Sequence, residues 1–414
     1  MKHLEKELKT ISATLILLVI SGIIPCVAQS EEIPVYAVND TVGLNYDPMD
    51  SIEVSLLTCS PHEEIYSLYG HSAIRWHNLR QQGPGAGAED WVFNWGMFNF
   101  NKPYFVLRFV FGLTDYELGA YPYDLFWPYY KQCGSSVMEQ VLNLTNDEKR
   151  RLKDILDENL EPENKVYRYN YFYDNCSTRP RDIIEKCING KVEYAVREDY
   201  TPTYRDMVHE CVRNHPWAAF GNDMLLGIKA DLKTNLREQE FLPENLMYDF
   251  ERAQIYVNGE YRPLVKEHRM LVPPGVQIIE QDFPLSPRLC GIIIFAFGLI
   301  LFMIEQRKQC AFVTWEVLLM VVTGIIGIVL TLMIFSQHPT VSLNLQFLLF
   351  NPLPWFFLWP VIKGKKTRYW HVTIVLCICF FIGSLFQSYA EGIWSLALCL
   401  LLQCILHLTH KREK

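Results

Sequence analysis

The chemistry of this 414-residue chain starts from a cysteine set where a tyrosine-rich, extended run gives way to a helix. Tyr167, Tyr169, Tyr171 and Tyr173 alternate with Arg168, Asn170 and Phe172, a period of two that predicts a strand. Asp174-Asn175-Cys176-Ser177-Thr178 follows. Beyond it Pro180 suits a first helical turn, and Ile183, Ile184, Cys187 and Ile188 recur at helical spacing. A thiol at a helix start lies beside unpaired N–H groups and the positive end of the helix dipole. Both favour the thiolate, and Arg179 and Arg181 add positive charge. A thiolate nucleophile needs a base, and the best candidate is His71 in Tyr69-Gly70-His71-Ser72-Ala73-Ile74-Arg75-Trp76. A lone cysteine is ordinarily a small buried residue, and a lone histidine a satisfied polar one. The helix start, the flanking arginines and a partner on a second element favour the chemical reading.

Several elements must position these residues. Residues 52–58 alternate like a strand, and residues 91–95 form another after the glycine-rich loop 83–87. Along the histidine strand His71, Ala73, Arg75 and His77 share one face, with Ser72, Ile74 and Trp76 on the other. The aromatic tract 98–130 reads either as core or as a surface for acyl chains. Thr145-Asn146-Asp147-Glu148 is a capping box opening a helix to about Leu160, stopped by Pro162. Residues 204–250 look mainly helical, and Asn258-Gly259 signals a hairpin. There is no regular strand–helix alternation, no GxGxxG and no phosphate-binding loop, so the expected class is α+β and no cofactor is expected.

Composition places this domain in a compartment. Residues 11–28 are an apolar run after Lys2, Lys6 and Lys9, ending in Cys26-Val27-Ala28, which suits a signal peptide cleaved after Ala28. The rival reading is an uncleaved anchor, and Pro25 before Cys26 argues against a lipoprotein signal. From 288 onward, apolar stretches at 289–304, 311–335, 343–362, 370–388 and 393–409 approach or exceed bilayer length. Arg307 and Lys308, then Lys363, Lys365, Lys366 and Arg368, then Lys411, Arg412 and Lys414 follow the first, third and fifth stretches. Loops 336–342 and 389–392 carry no lysine or arginine. The basic loops mark the cytoplasmic side, so the expected plan is signal peptide 1–28, periplasmic domain 29–287, five-span domain 288–410 and cytoplasmic tail 411–414. The net charge of −8 with no basic stripe excludes nucleic acid as a partner. Of twelve cysteines, Cys59, Cys133, Cys176, Cys187 and Cys211 lie in the exported part, an odd number that leaves a free thiol. No ligand spacing there suggests a metal.

Tyr-Gly-His-Ser-Ala-Ile-Arg at 69–75, Phe-Asn-Trp-Gly-Met-Phe at 93–98 and Asp-Asn-Cys-Ser-Thr-Arg-Pro-Arg-Asp at 174–182 together resemble the Lnb-type lipoprotein N-acyltransferases. The likeness continues through Gln337-His338-Pro339 and Asn351-Pro352-Leu353, over nearly the whole mature chain. Trp95 stands where tyrosine is expected, and 81–89 is an enlarged loop. The resemblance implies that Cys176 takes an acyl chain from a phospholipid as a thioester, with His71 as base. It implies delivery to the α-amine of an S-diacylglyceryl cysteine on a lipoprotein at the inner membrane. Histidine strand before cysteine helix also resembles the circularly permuted papain-like (NlpC-type) folds. Asn94 is the first choice to orient His71, with Asp90 and His77 as alternatives. Asn175, Ser72 and Tyr69 are supporting candidates, and the N–H groups starting the cysteine helix are candidate oxyanion donors. Arg75, Arg181, His338 and Asn344 are substrate-binding candidates. A salt bridge is the plainer role for Arg75, and interface polarity the plainer role for His338 and Asn344. Rival readings are a thiol phospholipase, a cell-wall peptidase or amidase, and an inert papain-like domain in an envelope assembly factor.

The alternating basic loops set a test of orientation. A reporter active only outside the cytoplasm should work when fused after Pro339 and be silent after Lys366. The opposite pattern overturns the periplasmic placement.

Overall fold

The computed structural model describes residues 47–62, 64, 67–80, 89–98, 103–104, 108, 111–277, 283–365 and 367–409. The signal sequence, most of the enlarged loop and the C-terminal tail lie outside the described residues. The strands are β1 (Ile52–Cys59), β2 (His71–Asn78), β3 (Asp90–Met97), β4 (Asp115–Pro122), β5 (Val137–Leu142), β6 (Val166–Arg168), β7 (Lys191–Glu193), β8 (Gln254–Val257), β9 (Glu260–Pro263) and β10 (Val265–Val272). Seven of them pair antiparallel in the order β10-β5-β1-β2-β3-β4-β6. The other three form a small sheet, β7-β8-β9, with the Asn258-Gly259 turn between β8 and β9.

Before the membrane part the helices are α1 (Tyr123–Gln132), α2 (Asn146–Leu160), α3 (Thr178–Cys187), α4 (Tyr204–Val212), α5 (Pro216–Leu225), α6 (Leu236–Gln239) and α7 (Pro243–Arg252). Strand alternation sends Ile52, Val54, Leu56, Ile74, Trp76, Phe93 and Trp95 to one face. There they pack with Leu152 and Leu156 of α2, Ile183 and Ile184 of α3, and Leu246 and Phe250 of α7. Leu57, Cys59, Ala73 and Val92 take the other face, under Phe126 and Tyr130 of α1. The two faces of β2 are therefore divided as its sequence alternation predicts. The capping box of α2 closes in both directions: Glu148 N donates to Thr145 Oγ1 and Thr145 N to a Glu148 carboxylate oxygen. Removing such a cap typically costs about 1 kcal/mol.

The strand expected over 167–173 is cut short at Arg168. Asn170 and Asp174 exchange backbone bonds of 2.9 Å in both directions, and Phe172 N donates to Asn170 Oδ1. An asparagine side chain that satisfies its own backbone offers the chain a turn in place of a ladder. The turn also brings Phe172 into a cluster with Tyr204 and Phe241.

The C-terminal part is helical: α8 (Pro287–Lys308), α9 (Val313–Ile334), α10 (Leu353–Ile362), α11 (Tyr369–Gly383) and α12 (Ile393–Thr409). Among the described residues three apolar helices are long enough to cross a membrane: Pro287–Lys308, Val313–Ile334 and Leu345–Ile362, the last beginning with a 3-10 turn. The remaining two apolar helices have 15 and 17 residues, shorter than the roughly 20 a crossing takes. The five expected stretches are thus all helical, and three of them reach spanning length. Small residues let helices approach: a Cβ on Gly298 of α8 would stand 2.8 Å from Cys399 Sγ of α12. Buried Glu305 accepts from Gln403 Nε2 and Phe312 N, and Glu316 pairs with His407.

Hydrogen bonds join the two parts. Gly227 N donates to Thr340 O and Ile228 N to Leu343 O, each at 2.8 Å. Gln346 Nε2 reaches Asp223 O, Asn344 Nδ2 reaches Met224 O, and Gln387 Nε2 reaches Leu226 O. Gly227 has an ordinary φ of −92°, but a Cβ there would stand 2.3 Å from Leu343 O. Gly227→Ala should therefore force this junction apart and cost about 1–3 kcal/mol, as overpacking does. Lower thermal stability of the full-length protein in detergent, with faster proteolysis around 227, is the expected result. Unchanged stability would show that the junction yields without strain.

Candidate active site

Asn175 organises the start of α3. Its Oδ1 accepts from Ser177 N at 2.8 Å and Thr178 N at 3.0 Å, while its Nδ2 donates to Tyr171 O and Phe241 O. Arg179 N then donates to Asn175 O, the first helical bond. Asn175 caps the helix in the manner asparagine is favoured for, and Cys176 is the next residue along. This corrects one expectation. The N–H groups of Ser177 and Thr178, candidate oxyanion donors, are already held by the Asn175 carboxamide.

His71 is the first residue of β2, following Gly70 with φ +74°. A Cβ on Gly70 would come 2.8 Å from Cys59 O, so the turn into the strand requires glycine. His71 Nε2 lies 3.0 Å from Asn94 Oδ1 on β3. Asn94 Nδ2 donates to Val92 O, which fixes the amide so that its oxygen faces the imidazole. Nε2 is then the protonated nitrogen, and Nδ1 is left for Cys176. Asn94 is the orienting residue among the three proposed; Asp90 is instead bound to Arg75, with His77 beside it at 4.0 Å.

Burial alone pushes the Cys176 thiol up. The charge and hydrogen bond of His71, the Ser72 N–H and the Ser177 hydroxyl outweigh it and hold the thiol below its ordinary range. Burial likewise disfavours the imidazolium, and Cys176 and Asn94 outweigh it, so His71 is raised. Both shifts run toward the thiolate and the imidazolium, the direction in which a helix start and a histidine together act. Cys187 and Cys211 have burial without such partners, and both thiols are pushed up to about 12. The Ser72 and Ser177 hydroxyls lie 3.2 Å apart and tie β2 to the start of α3.

The other candidates separate by their contacts. Arg75 is buried, bidentate to Asp90 at 2.7 Å and bonded to Glu139 at 2.9 Å, with Tyr123 under its guanidinium. Its plainer role as a salt bridge is the one its contacts support. Arg181 is similarly buried, against Glu240 at 3.0 Å, Asp182 and the carbonyl of Arg237. Tyr69 accepts from Asn222 Nδ2 of α5 and stacks edge-on against Tyr171. Asn344 is buried in the junction, and His338 packs against Gly112 in the segment leading to β4. None of these five touches the thiol.

Three neighbours of Cys176 escaped the sequence reading. Gly96, with φ +97°, stands in a register shift of β3 between Asn94 and Met97. A Cβ there would lie 3.8 Å from Cys176 Cβ and 4.0 Å from both Tyr167 Oη and Tyr169 Cε2. The alternating tyrosines flagged Tyr167 and Tyr169 as a strand face; nothing in their spacing pointed to the thiol.

The lowered thiol and raised imidazole set the sign of a pH test. Thiolate is present above the depressed Cys176 value, so iodoacetamide should alkylate Cys176 below the pH of about 8.5 where a free thiol ionises. His71→Ala removes the opposing charge and its hydrogen bond, leaving only the Ser72 N–H and the Ser177 hydroxyl against burial, so the profile should move up. An unshifted profile in His71→Ala would overturn the ion pair.

A family model of the Lnb N-terminal periplasmic domain matches residues 40–210, and one of the Lnb transmembrane domain matches residues 278–414. No curated protein and no solved structure matches the chain. His71, Asn94 and Cys176 all fall inside the first match, and the apolar helices fall inside the second. The chain belongs to the Lnb family, membrane proteins with an N-terminal periplasmic domain and a C-terminal transmembrane domain.

Proposed function

We propose that the protein is a lipoprotein N-acyltransferase that works through a Cys176 thioester. The observation that carries this is the Cys176–His71 pair, with Asn94 fixing the imidazole, inside a family match tied to lipoprotein maturation. In the first step the Cys176 thiolate attacks an ester carbonyl of a phospholipid. The C–S bond forms, the C–O bond breaks, and the departing alkoxide takes the proton from His71 Nδ1, leaving a lysophospholipid. In the second step the α-amine of an S-diacylglyceryl cysteine attacks the thioester. The C–N bond forms, the C–S bond breaks, and His71 receives the amine's proton. An α-amine with a pKa of about 8 has a useful neutral fraction for this attack. The Asn175 carboxamide leaves the Cys176 N–H alone, and that group is one donor to the carbonyl oxygen.

On this reading residues 29–287 are the catalytic domain in a permuted papain-like order, 288–410 the five-span anchor and 411–414 a cytoplasmic tail. The partners are a phospholipid donor, a diacylated lipoprotein acceptor and the membrane that holds both.

Intact-protein mass spectrometry after brief incubation with phospholipid and no acceptor tests the reading. Wild type should gain one acyl mass, released by hydroxylamine, and pass it to a diacylated lipopeptide added afterwards. Cys176→Ala should gain none, and His71→Ala should gain it roughly 10²–10⁴-fold more slowly. An acyl mass on Cys176→Ala would move the nucleophile elsewhere. Release of free fatty acid with the lipopeptide left unmodified would make the protein a thiol phospholipase.

A further inference from the structure

Beyond the thiol and its base, the ester carbonyl must place developing negative charge somewhere, and the start of α3 offers little. Ser177 N and Thr178 N are both occupied by Asn175 Oδ1. A second donor has to come from another element, and the residues around Gly96 supply one.

Tyr167, on the edge strand β6, is 6% exposed, and its hydroxyl has no hydrogen-bond partner among the described residues. Buried hydroxyls are normally paired, and one that is not calls for an explanation. The end of the ring that carries the hydroxyl is the part facing Gly96. Tyr167 Oη and Cys176 Cβ flank the same point, 4.0 and 3.8 Å from where a Gly96 side chain would begin. The missing side chain keeps that space clear between the carbon bearing the thiol and the phenol. The ring itself is held firmly. The Arg179 guanidinium lies over it at 4.0 Å and is in turn paired with both oxygens of Asp174. The backbone is fixed by pairing of Tyr167 with Tyr116 on β4. Burial, with the negative charge of Cys176 adding to it, keeps this phenol protonated and so a donor at any working pH.

We propose that Tyr167 is a catalytic residue whose hydroxyl donates a hydrogen bond to the carbonyl oxygen of the ester, and then of the thioester, during attack. The hydroxyl neither gains nor loses its proton. It satisfies itself on the oxyanion of each tetrahedral intermediate and is released when the carbonyl reforms. The inference rests on the acyl-transfer reading above and adds the group that lowers the barrier to both additions.

Tyr167→Phe removes only the oxygen and keeps the ring under Arg179. Acyl mass on Cys176 from phospholipid, without acceptor, should then accumulate about 10²–10³-fold more slowly, the usual effect of deleting one oxyanion donor. Alkylation by iodoacetamide builds no oxyanion, so its rate and pH profile should match wild type. The melting temperature should be unchanged or higher, because the deleted hydroxyl has no partner to lose. Acylation at the wild-type rate overturns the inference. So does a parallel fall in alkylation, which would place the hydroxyl's action on the thiol, or a fall in melting temperature, which would give it a structural role. A wild-type protein that gains no acyl mass while still alkylating at Cys176 overturns the acyl-transfer reading itself, and that outcome is read before the variant is made.

Discussion

The mutual support of Cys176 and His71, both half-buried, is the constraint around which the periplasmic domain is arranged. The charged form of each is disfavoured by its burial and rescued by the other. A half-buried pair of this kind is favoured when geometry is tight and the remaining polar atoms are satisfied. Here the satisfaction is distributed over three elements. Asn94 on β3 takes the far nitrogen of the imidazole. Ser72 and Ser177, from β2 and the start of α3, supply a backbone N–H and a hydroxyl to the sulfur. The sheet register that sets β3 beside β2 is therefore a chemical requirement as well as a packing one. A slip of one residue would turn Asn94 to the opposite face and put an apolar neighbour against His71.

The charge of this pair is kept apart from the other charges of the domain. Arg75 points to the same face as His71, yet Asp90 and Glu139 absorb its donors. Arg181, five residues after the nucleophile, is absorbed by Glu240 and Asp182. Both arginines thus stiffen the frame, Arg75 by linking β2 to β3 and β5, Arg181 by linking α3 to the segment after α6. Arg179 is likewise paired, with both oxygens of Asp174, while its guanidinium leans over Tyr167.

What could be read from the sequence followed from how local its causes are. The helix start at Cys176, the capping box at Thr145 and the hairpin at Asn258-Gly259 are fixed by neighbours within a few residues, and each appears where its signal lies. His71 was legible because glycine, histidine and an alternating run occur together. The partners of Arg75 and Arg181 were not, because Glu139 and Glu240 arrive through strand pairing and helix packing from far along the chain. The tyrosine alternation promised a longer strand than forms, since Asn170 competes for its own backbone. The role of Gly96 depends on a register shift between β3 and β4, which alternation alone does not encode. The membrane stretches were legible as apolar runs, but their helix lengths were not. A turn beginning at Ser384 cuts the expected run 370–388 short, while 393–409 is helical throughout.

The junction with the membrane part bears on the chemistry through short covalent distances. Asn222 of α5 bonds Tyr69, two residues before His71, while the next residue, Asp223, receives Gln346 from the membrane side. Arg168, adjacent to Tyr167, reaches Gln337 just beyond α9. The two strands flanking the thiol are thus each pinned, within two residues of a side chain that lines it, to the loop between α9 and α10. The proposed reaction draws donor and acceptor from a bilayer, so on that proposal the thiol must sit close to it. Hydrogen bonds between backbone groups, with Gly227 admitting the close approach, join the sheet domain directly to the membrane helices. On the proposed function, these bonds would let the membrane helices and the sheet serve the thiol as one frame.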